Sequence, residues 1–125
     1  LYIAPEQLYG ELEQTPAVDI YSLAIVVYEM LTGELPFKPQ SIIEMFELQK
    51  QGVKIPPSKL RADLPEAAEN LLLSALQFEA EKRPQNARQF GRDLSNALRG
   101  NASFKTDETN RDLAKTLPSN LVSRE

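Results

Sequence analysis

The stretch VDIYSLAIVVYEMLTGELPF, residues 18–37, decides the fold of this chain. Its first half is apolar on nearly every side, and such a helix belongs inside a core rather than on a surface. The β-branched residues 25–27 would also suit a buried strand, but the pattern is too long for one. Thr15 suits the N-cap, Pro16 the first helical position and Gly33 the position after the last turn. The sequence therefore predicts a buried central helix.

Three more helices are predicted downstream of the central one. Ser41 and Glu44 have capping-box spacing, and Gly52 is expected to close the helix that they start in the left-handed conformation. A third helix with a clean apolar stripe is expected over residues 66–78, and a fourth begins near Asn86. The predicted fold class is therefore all-α, with proline-containing connections expected at residues 1–16, 54–64 and 79–84.

Composition narrows the chemistry of the 125 residues. A formal charge of −4 gives no electrostatic footprint for nucleic acid or for an anionic membrane. Cysteine and histidine are both absent, which removes a disulfide framework, a thiolate metal site and the commonest general base. Asp19 and Glu29 interrupt the apolar stretch, so no membrane segment is predicted. We expect no metal site in this chain.

Residues 100–125 differ in character from the rest. Ser, Thr, Asn and charged residues dominate this part, and its apolar residues are scattered. Such composition rarely buries enough apolar surface to offset the entropy of ordering. We therefore expect one folded unit over residues 1–99, followed by a polar, disordered tail.

Four short motifs carry a resemblance to a known family. Residues 4–6 read APE, a signature of protein kinases. VDIYSL follows at residues 18–23, YEMLTG with PF at residues 28–37, and EKRP at residues 81–84. In this order and spacing they resemble the end of the activation segment and the lower-lobe helices of a eukaryotic-like serine/threonine protein kinase of the bacterial type. The resemblance covers residues 1–98 and implies the helical C-lobe of the kinase fold.

The resemblance implies structural roles for three charged residues. Glu6 would pair with Arg83 and tie the activation segment to the lower helices, since a guanidinium can satisfy both oxygens of a carboxylate. Asp19 would accept a hydrogen bond from the backbone of the catalytic loop. The alternatives are solvated surface charges for the pair and a simple helix-start acid for Asp19.

The first motif also implies a substrate pocket. Tyr2 and Ile3 would help to form the pocket for the residue that follows the phosphorylated one, while Ala4 and Pro5 complete the signature. The alternative for Tyr2 and Ile3 is ordinary core packing. Protein substrates are the partners that this pocket implies.

The parts that transfer phosphate are absent from the sequence. Kinases need a glycine-rich loop, a Lys–Glu pair, metal-holding side chains and a catalytic Asp. No G-x-G-x-x-G occurs, and a chain without histidine has no H-R-D loop. We therefore expect no catalytic residue and no cofactor here, with ATP and Mg²⁺ bound by the complete kinase. The chain would be the carboxy-terminal part of a cytoplasmic Ser/Thr kinase that is not competent alone.

Two alternatives remain open at this stage. The chain would also suit part of a pseudokinase or scaffold kinase, because the discriminating catalytic residues lie outside it. It would also suit a free-standing helical interaction module, with Ile42, Met45 and Phe46 on a partner-facing surface. An exposed apolar face on the second helix would favour this module.

Overall fold

The computed structural model describes residues 2–8, 10 and 14–100, and every regular element in these ranges is helical. The predicted all-α fold class is therefore confirmed. Of the tail predicted over residues 100–125, only Gly100 lies within the described residues, where it ends the last helix. In chain order the helices are α1 Pro5–Leu8, α2 Pro16–Thr32, α3 Ile42–Gln51, α4 Pro57–Leu60, α5 Glu66–Ala75 and α6 Ala87–Gly100, with a 3₁₀ turn at Ala80–Lys82.

Helix α2 is the buried centre of the fold, as its sequence predicts. The Thr15 hydroxyl accepts a hydrogen bond from the Val18 N–H at 3.2 Å, and Pro16 opens the helix. Gly33 closes it with φ 78° and ψ 3°, and its N–H donates to the Glu29 carbonyl at 2.8 Å. This left-handed conformation favours glycine because it has no Cβ. Nine α2 residues are buried: Ala17, Val18, Ile20, Tyr21, Ala24, Ile25, Val27, Tyr28 and Leu31.

Helices α4, α5 and α6 pack on α2 and close the core around it. The α5 stripe is buried as predicted, although the helix ends at Ala75, three residues before the expected position. Asn86 caps α6, since its Oδ1 accepts from the Gln89 N–H at 2.8 Å. The buried α5 and α6 side chains that complete this core are Ala68, Leu72, Ala75, Phe90, Leu94 and Leu98.

Two segments predicted as irregular each contain one turn of helix. Helix α1 begins at Pro5 and α4 at Pro57, so the prediction of an uninterrupted loop or extended connection is wrong at both places. Proline disrupts the interior of a helix but suits its first position, because the N–H group that proline lacks has no hydrogen-bond partner within the helix there. In α4 the Ser58 N–H donates to the Glu69 carboxylate at 2.8 Å, which satisfies one of the open donors of this turn.

Helix α3 begins as its capping box predicts. The Ser41 hydroxyl accepts from the Glu44 N–H at 3.0 Å. The Glu44 carboxylate reaches back to the N–H of Gln40, one residue before the expected donor. Gly52 ends the helix with φ 90° and ψ 173°, so its predicted left-handed helical conformation is wrong, although its φ is positive. The helix packs mainly against α1, at the periphery of the α2 core.

Candidate functional site

Arg83 lies at the centre of a buried polar site. Its side chain is fully buried, and all five of its N–H groups donate. Nη1 and Nη2 each bond one oxygen of the Glu6 carboxylate at 2.8 Å, in the fork-to-fork geometry that suits a guanidinium. The remaining three N–H groups donate to the backbone carbonyls of Gln77, Phe78 and Ala17, at 2.8, 3.0 and 3.0 Å.

These contacts join three separate parts of the chain. Glu6 belongs to α1, Ala17 to the first turn of α2, and Arg83 to the connection before α6. Arg83 follows the 3₁₀ turn in an extended conformation, so its side chain projects back under α2. A buried ion pair stabilises a fold only when its geometry is good and its polar atoms find partners, and here all five Arg83 N–H groups and both Glu6 oxygens are hydrogen-bonded. The structure thus brings together the two charged residues that the sequence singled out as a pair.

The aromatic ring of Tyr21 covers the guanidinium. Cζ of Arg83 lies 4.6 Å from the centroid of this ring, which is a cation–π distance. Tyr21 is itself fully buried. Burial raises the pKa of its hydroxyl strongly, and the positive charge of Arg83 opposes that rise only in part. Tyr21 therefore remains neutral and supplies a ring face rather than a charge.

The Glu6 carboxyl is held in its ionised form. Burial by itself raises the pKa of this group, but the hydrogen bonds from Arg83 and from the backbone, together with the Arg83 charge, outweigh burial and lower the pKa. The Glu6 side chain keeps 13% of its surface exposed, so water screens part of this interaction. The carboxylate thus has the charge state that a bidentate pair requires.

A pH titration will show this lowered pKa as a change in stability. A depressed pKa stabilises the fold at pH values above the ordinary glutamate range, and the contribution is lost as the pH falls through the folded-state pKa. We expect the difference in free energy of unfolding between the wild type and Glu6→Gln to be largest above about pH 5 and to shrink below about pH 4. Urea unfolding at pH values on both sides of this range measures the difference in free energy, with the exposed Glu47→Gln as control. A difference that stays constant with pH would contradict the assignment.

The segment at residues 2–4 is fixed by three different helices. The Ser22 hydroxyl of α2 donates to the Tyr2 carbonyl at 2.6 Å. The Gln49 side-chain amide of α3 donates to the Ile3 carbonyl at 2.8 Å, and the Gln7 N–H of α1 to the Ala4 carbonyl at 3.0 Å. Three consecutive carbonyls are therefore held from three directions, although the segment has no regular structure. Such pre-organisation suits a binding surface.

The side chains of this segment divide between surface and core. Tyr2 is 45% exposed, and its hydroxyl donates to the Glu29 carboxylate at 2.6 Å. This hydrogen bond, with burial and the Glu29 charge, raises the pKa of Tyr2. Ile3 is partly buried against the core, and Ala4 and Pro5 are buried. Tyr2 and Ile3 thus lie side by side, one facing solvent and one facing inward.

Asp19 lies in the first turn of α2 and remains exposed. Its carboxylate accepts a hydrogen bond from the Gln14 side-chain amide at 3.0 Å. An acid at this position also meets the positive end of the helix dipole. Its predicted role as anchor of a catalytic loop stays a prediction, since the one side-chain partner seen for it among the described residues is Gln14.

The expected docking face on α3 is only partly at the surface. Ile42 is 63% exposed and Phe46 is partly buried, but Met45 is 1% exposed and cannot face a partner. Met45 lies on the side of α3 that turns inward, where it joins the core cluster. Ile43, which was not singled out, is the most exposed large apolar residue of the described part, at 78%. A groove of about 210 Å³ is lined by Leu8, Ile42, Ile43 and Phe46.

The sequence did not reveal the residues that hold the segment at residues 2–4, which lie on α2 and α3. Ser22 and Glu29 are seven residues apart on α2 and both bind Tyr2, a spacing that places them on one face of a helix. Gln49 follows Met45 by four residues and so continues an apolar stripe inward. A polar residue on the apolar stripe of α3 is the sequence signal that would have identified Gln49.

The described part of the chain lacks two further features. It contains no group of three or more acidic side chains placed to hold a metal ion. None of the helices in these ranges has the length and apolar character needed to cross a membrane.

The comparisons with known proteins agree with this geometry. The family model of the protein kinase domain matches residues 1–93. The tyrosine-protein kinase MasK of Myxococcus xanthus is 38% identical over 98 residues, which cover 78% of this chain and 15% of MasK. The serine/threonine-protein kinase PknB of Mycolicibacterium smegmatis is 35% identical over 101 residues, covering 81% of this chain and 16% of PknB. PrkC of Bacillus subtilis, also a serine/threonine-protein kinase, is 29% identical over 120 residues, covering 94% and 18%.

The chain spans less than a fifth of the length of these curated relatives. Its match to the kinase domain nevertheless includes the APE motif, the whole of α2 and the Arg83 segment. With the motif order, the all-helical architecture and the Glu6–Arg83 pair in the same residues, this chain belongs to the protein kinase family and resembles its bacterial serine/threonine kinases.

Proposed function

We propose that this chain is the carboxy-terminal, helical part of the catalytic domain of a serine/threonine kinase. In the complete protein it would supply the end of the activation segment and the lower-lobe scaffold, while residues outside it bind ATP and Mg²⁺ and transfer the γ-phosphate. This chain alone would not be competent, because phosphoryl transfer needs the glycine-rich and catalytic loops that its sequence lacks.

The observation that carries the proposal is the bidentate contact between Glu6 and Arg83. The APE acid and the EKRP arginine are 77 residues apart, yet every oxygen and N–H of the pair faces a partner. Two solvated surface charges would not be buried together under the ring of Tyr21. This pair would hold the activation segment on the helical scaffold, as the family resemblance implies.

The neighbouring residues take their roles from this arrangement. Tyr2 and Ile3 would form the pocket for the substrate residue that follows the phosphorylated one, on a segment that three helices fix. Asp19 would accept a hydrogen bond from the catalytic-loop backbone, and its carboxylate is exposed. Protein substrates would be the partners, and the cytoplasm would be the location.

The acceptor residue is part of the proposal. PknB and PrkC are serine/threonine kinases by name, whereas MasK is a tyrosine kinase by name. We propose Ser/Thr, because the sequence motifs resemble that branch. The test is to express the full-length protein from its native locus and to incubate it with γ-labelled ATP, Mg²⁺ and peptides that contain Ser, Thr or Tyr.

Label on Ser or Thr peptides is the expected result, and it should disappear when the aspartate of the catalytic loop is replaced. The reading frame upstream of the Leu1 codon should accordingly contain D-F-G, a catalytic loop with Asp and Asn, and a glycine-rich loop. Label only on Tyr peptides would move the protein to the other class of acceptor. A frame that lacks the catalytic Asp would reject catalysis and favour a pseudokinase or scaffold.

One observation favours a second candidate, a protein-interaction module. Ile42 and Ile43 expose more than half of their surface and, with Leu8 and Phe46, line the groove. Exposed neighbouring isoleucines often mark an interaction site. The same face would serve docking in a complete kinase, so the phosphorylation assay, rather than binding by itself, separates the two candidates.

A further inference from the structure

Gln49 is buried without an evident reason in the scaffold. It has 0% exposed surface at the last turn of the peripheral helix α3. Glutamine is mostly found at protein surfaces, and burying its amide costs free energy unless the amide is hydrogen-bonded. An apolar residue would fill this position of the stripe after Met45 equally well. The polar group therefore has a task other than filling the core.

The hydrogen bond of Gln49 identifies that task. Its Nε2 donates at 2.8 Å to the carbonyl of Ile3, 46 residues away in the sequence. This carbonyl lies outside any helix. The Tyr2 carbonyl before it accepts from the Ser22 hydroxyl, and the Ala4 carbonyl after it accepts from the Gln7 N–H. Gln49 is thus the residue by which α3 helps to hold residues 2–4 in place. Removing its amide would take this donor away from the Ile3 carbonyl.

The Gln49 side chain also lies beside Tyr21. Oε1 of Gln49 and the hydroxyl of Tyr21 are both buried, and neither has a hydrogen-bond partner among the described residues. The two side chains are close enough for the Gln49 amide to oppose part of the rise that burial causes in the pKa of Tyr21. The ring of Tyr21 in turn covers Arg83. Gln49 therefore stands between the segment at residues 2–4 and the buried ion pair.

We propose that Gln49 is a positioning residue for the substrate pocket: its side-chain amide sets the backbone of residues 2–4 and thereby the selectivity for the substrate residue after the phosphoacceptor. The inference rests on the proposed kinase function. Gln49 touches no substrate and acts through the Ile3 carbonyl. Residue selectivity, rather than the rate of the chemical step, is the property that depends on it.

The test uses the full-length protein with Gln49→Met, which keeps the side-chain length and removes the donor, and with Gln51→Met as control. Gln51 ends the same helix and is exposed. Peptides that vary only in the residue after the phosphoacceptor measure selectivity, and hydrogen exchange of the peptide containing residues 2–8 measures the backbone. We expect Gln49→Met to raise KM for the preferred peptide about fivefold, to leave kcat unchanged and to speed exchange about fivefold. Gln51→Met should change neither.

Unchanged selectivity together with unchanged exchange in a folded Gln49→Met protein would overturn the inference. A fall in kcat with KM unchanged would do the same, since it would place Gln49 in the chemical step. If Gln49→Met does not fold, Gln49→Glu takes its place, because a carboxyl of the same shape donates only when protonated. Selectivity that falls relative to wild type as the pH rises supports the inference, and selectivity independent of pH overturns it.

The two proposals fail in different ways. A full-length wild-type protein that labels no peptide would reject the kinase function and, with it, the pocket role of Gln49. The exchange measurement would still report whether Gln49 holds residues 2–4. Labelled peptides with no effect of Gln49→Met on selectivity or exchange would leave the kinase function standing and reject Gln49 alone.

Discussion

Replacing Arg83 with alanine is expected to lower the free energy of unfolding by about 3–5 kcal/mol. The substitution removes both hydrogen bonds to the Glu6 carboxylate and leaves that group partly buried without its counter-charge. It also removes a donor from three backbone carbonyls and empties the space under the Tyr21 ring. Unpaired buried charge is among the few mechanisms that produce losses of this size. Urea unfolding of the full-length protein measures the loss.

Two variants calibrate this result. Arg83→Lys keeps the charge but has no planar fork, so it should recover only part of the stability. Arg88→Ala removes an arginine that is exposed on α6 and should change the free energy by less than about 0.5 kcal/mol. A loss below that same value for Arg83→Ala would mean that the pair behaves as two solvated charges.

Tyr21 is expected to respond in opposite directions to two substitutions. Tyr21→Ala removes a fully buried ring from the centre of the core and should cost about 3–5 kcal/mol. Tyr21→Phe keeps the ring over Arg83 and removes only a buried hydroxyl that has no partner among the described residues. Removing a polar group that is buried without a partner should stabilise the fold by up to about 1 kcal/mol.

Tyr28 provides the matched control for the hydroxyl. It is as deeply buried in α2 as Tyr21, but its hydroxyl donates to the Ile55 carbonyl at 2.6 Å. Tyr28→Phe should therefore destabilise the protein by about 1 kcal/mol, while Tyr21→Phe does not. Thermal unfolding of the two Phe variants under one condition compares them directly. Equal losses for both would show that the Tyr21 hydroxyl has a partner after all.

The long elements were predictable because their ends carry local signals. Thr15, Pro16 and Gly33 define α2 without any tertiary information, and Ser41 does the same for the start of α3. The one-turn helices α1 and α4 were missed because Pro5 and Pro57 read as breakers, whereas a proline at the first position starts a helix. Four residues of helix leave no periodicity for a sequence pattern to detect.

The site was predictable only where a motif named its residues. Glu6 and Arg83 came from the family resemblance, since nothing local connects residues 77 positions apart. Met45 was assigned to a partner-facing surface because an apolar stripe on a peripheral helix does not say which way it turns. Gln49 was missed although its spacing from Met45 places it on the same stripe, because its burial also depends on α1 packing against α3, which the spacing alone does not show.

The sequence separation of Glu6 and Arg83 has a consequence for the rates of folding. Closing a loop of this length costs chain entropy before any contact is gained, so the pair should form after the folding barrier has been crossed. Contacts that are absent from the transition state slow unfolding without accelerating folding. The Glu6–Arg83 pair would then lower the rate of unfolding. It would determine how long the folded lobe resists a protease or a pulse of heat, rather than how quickly a new chain folds.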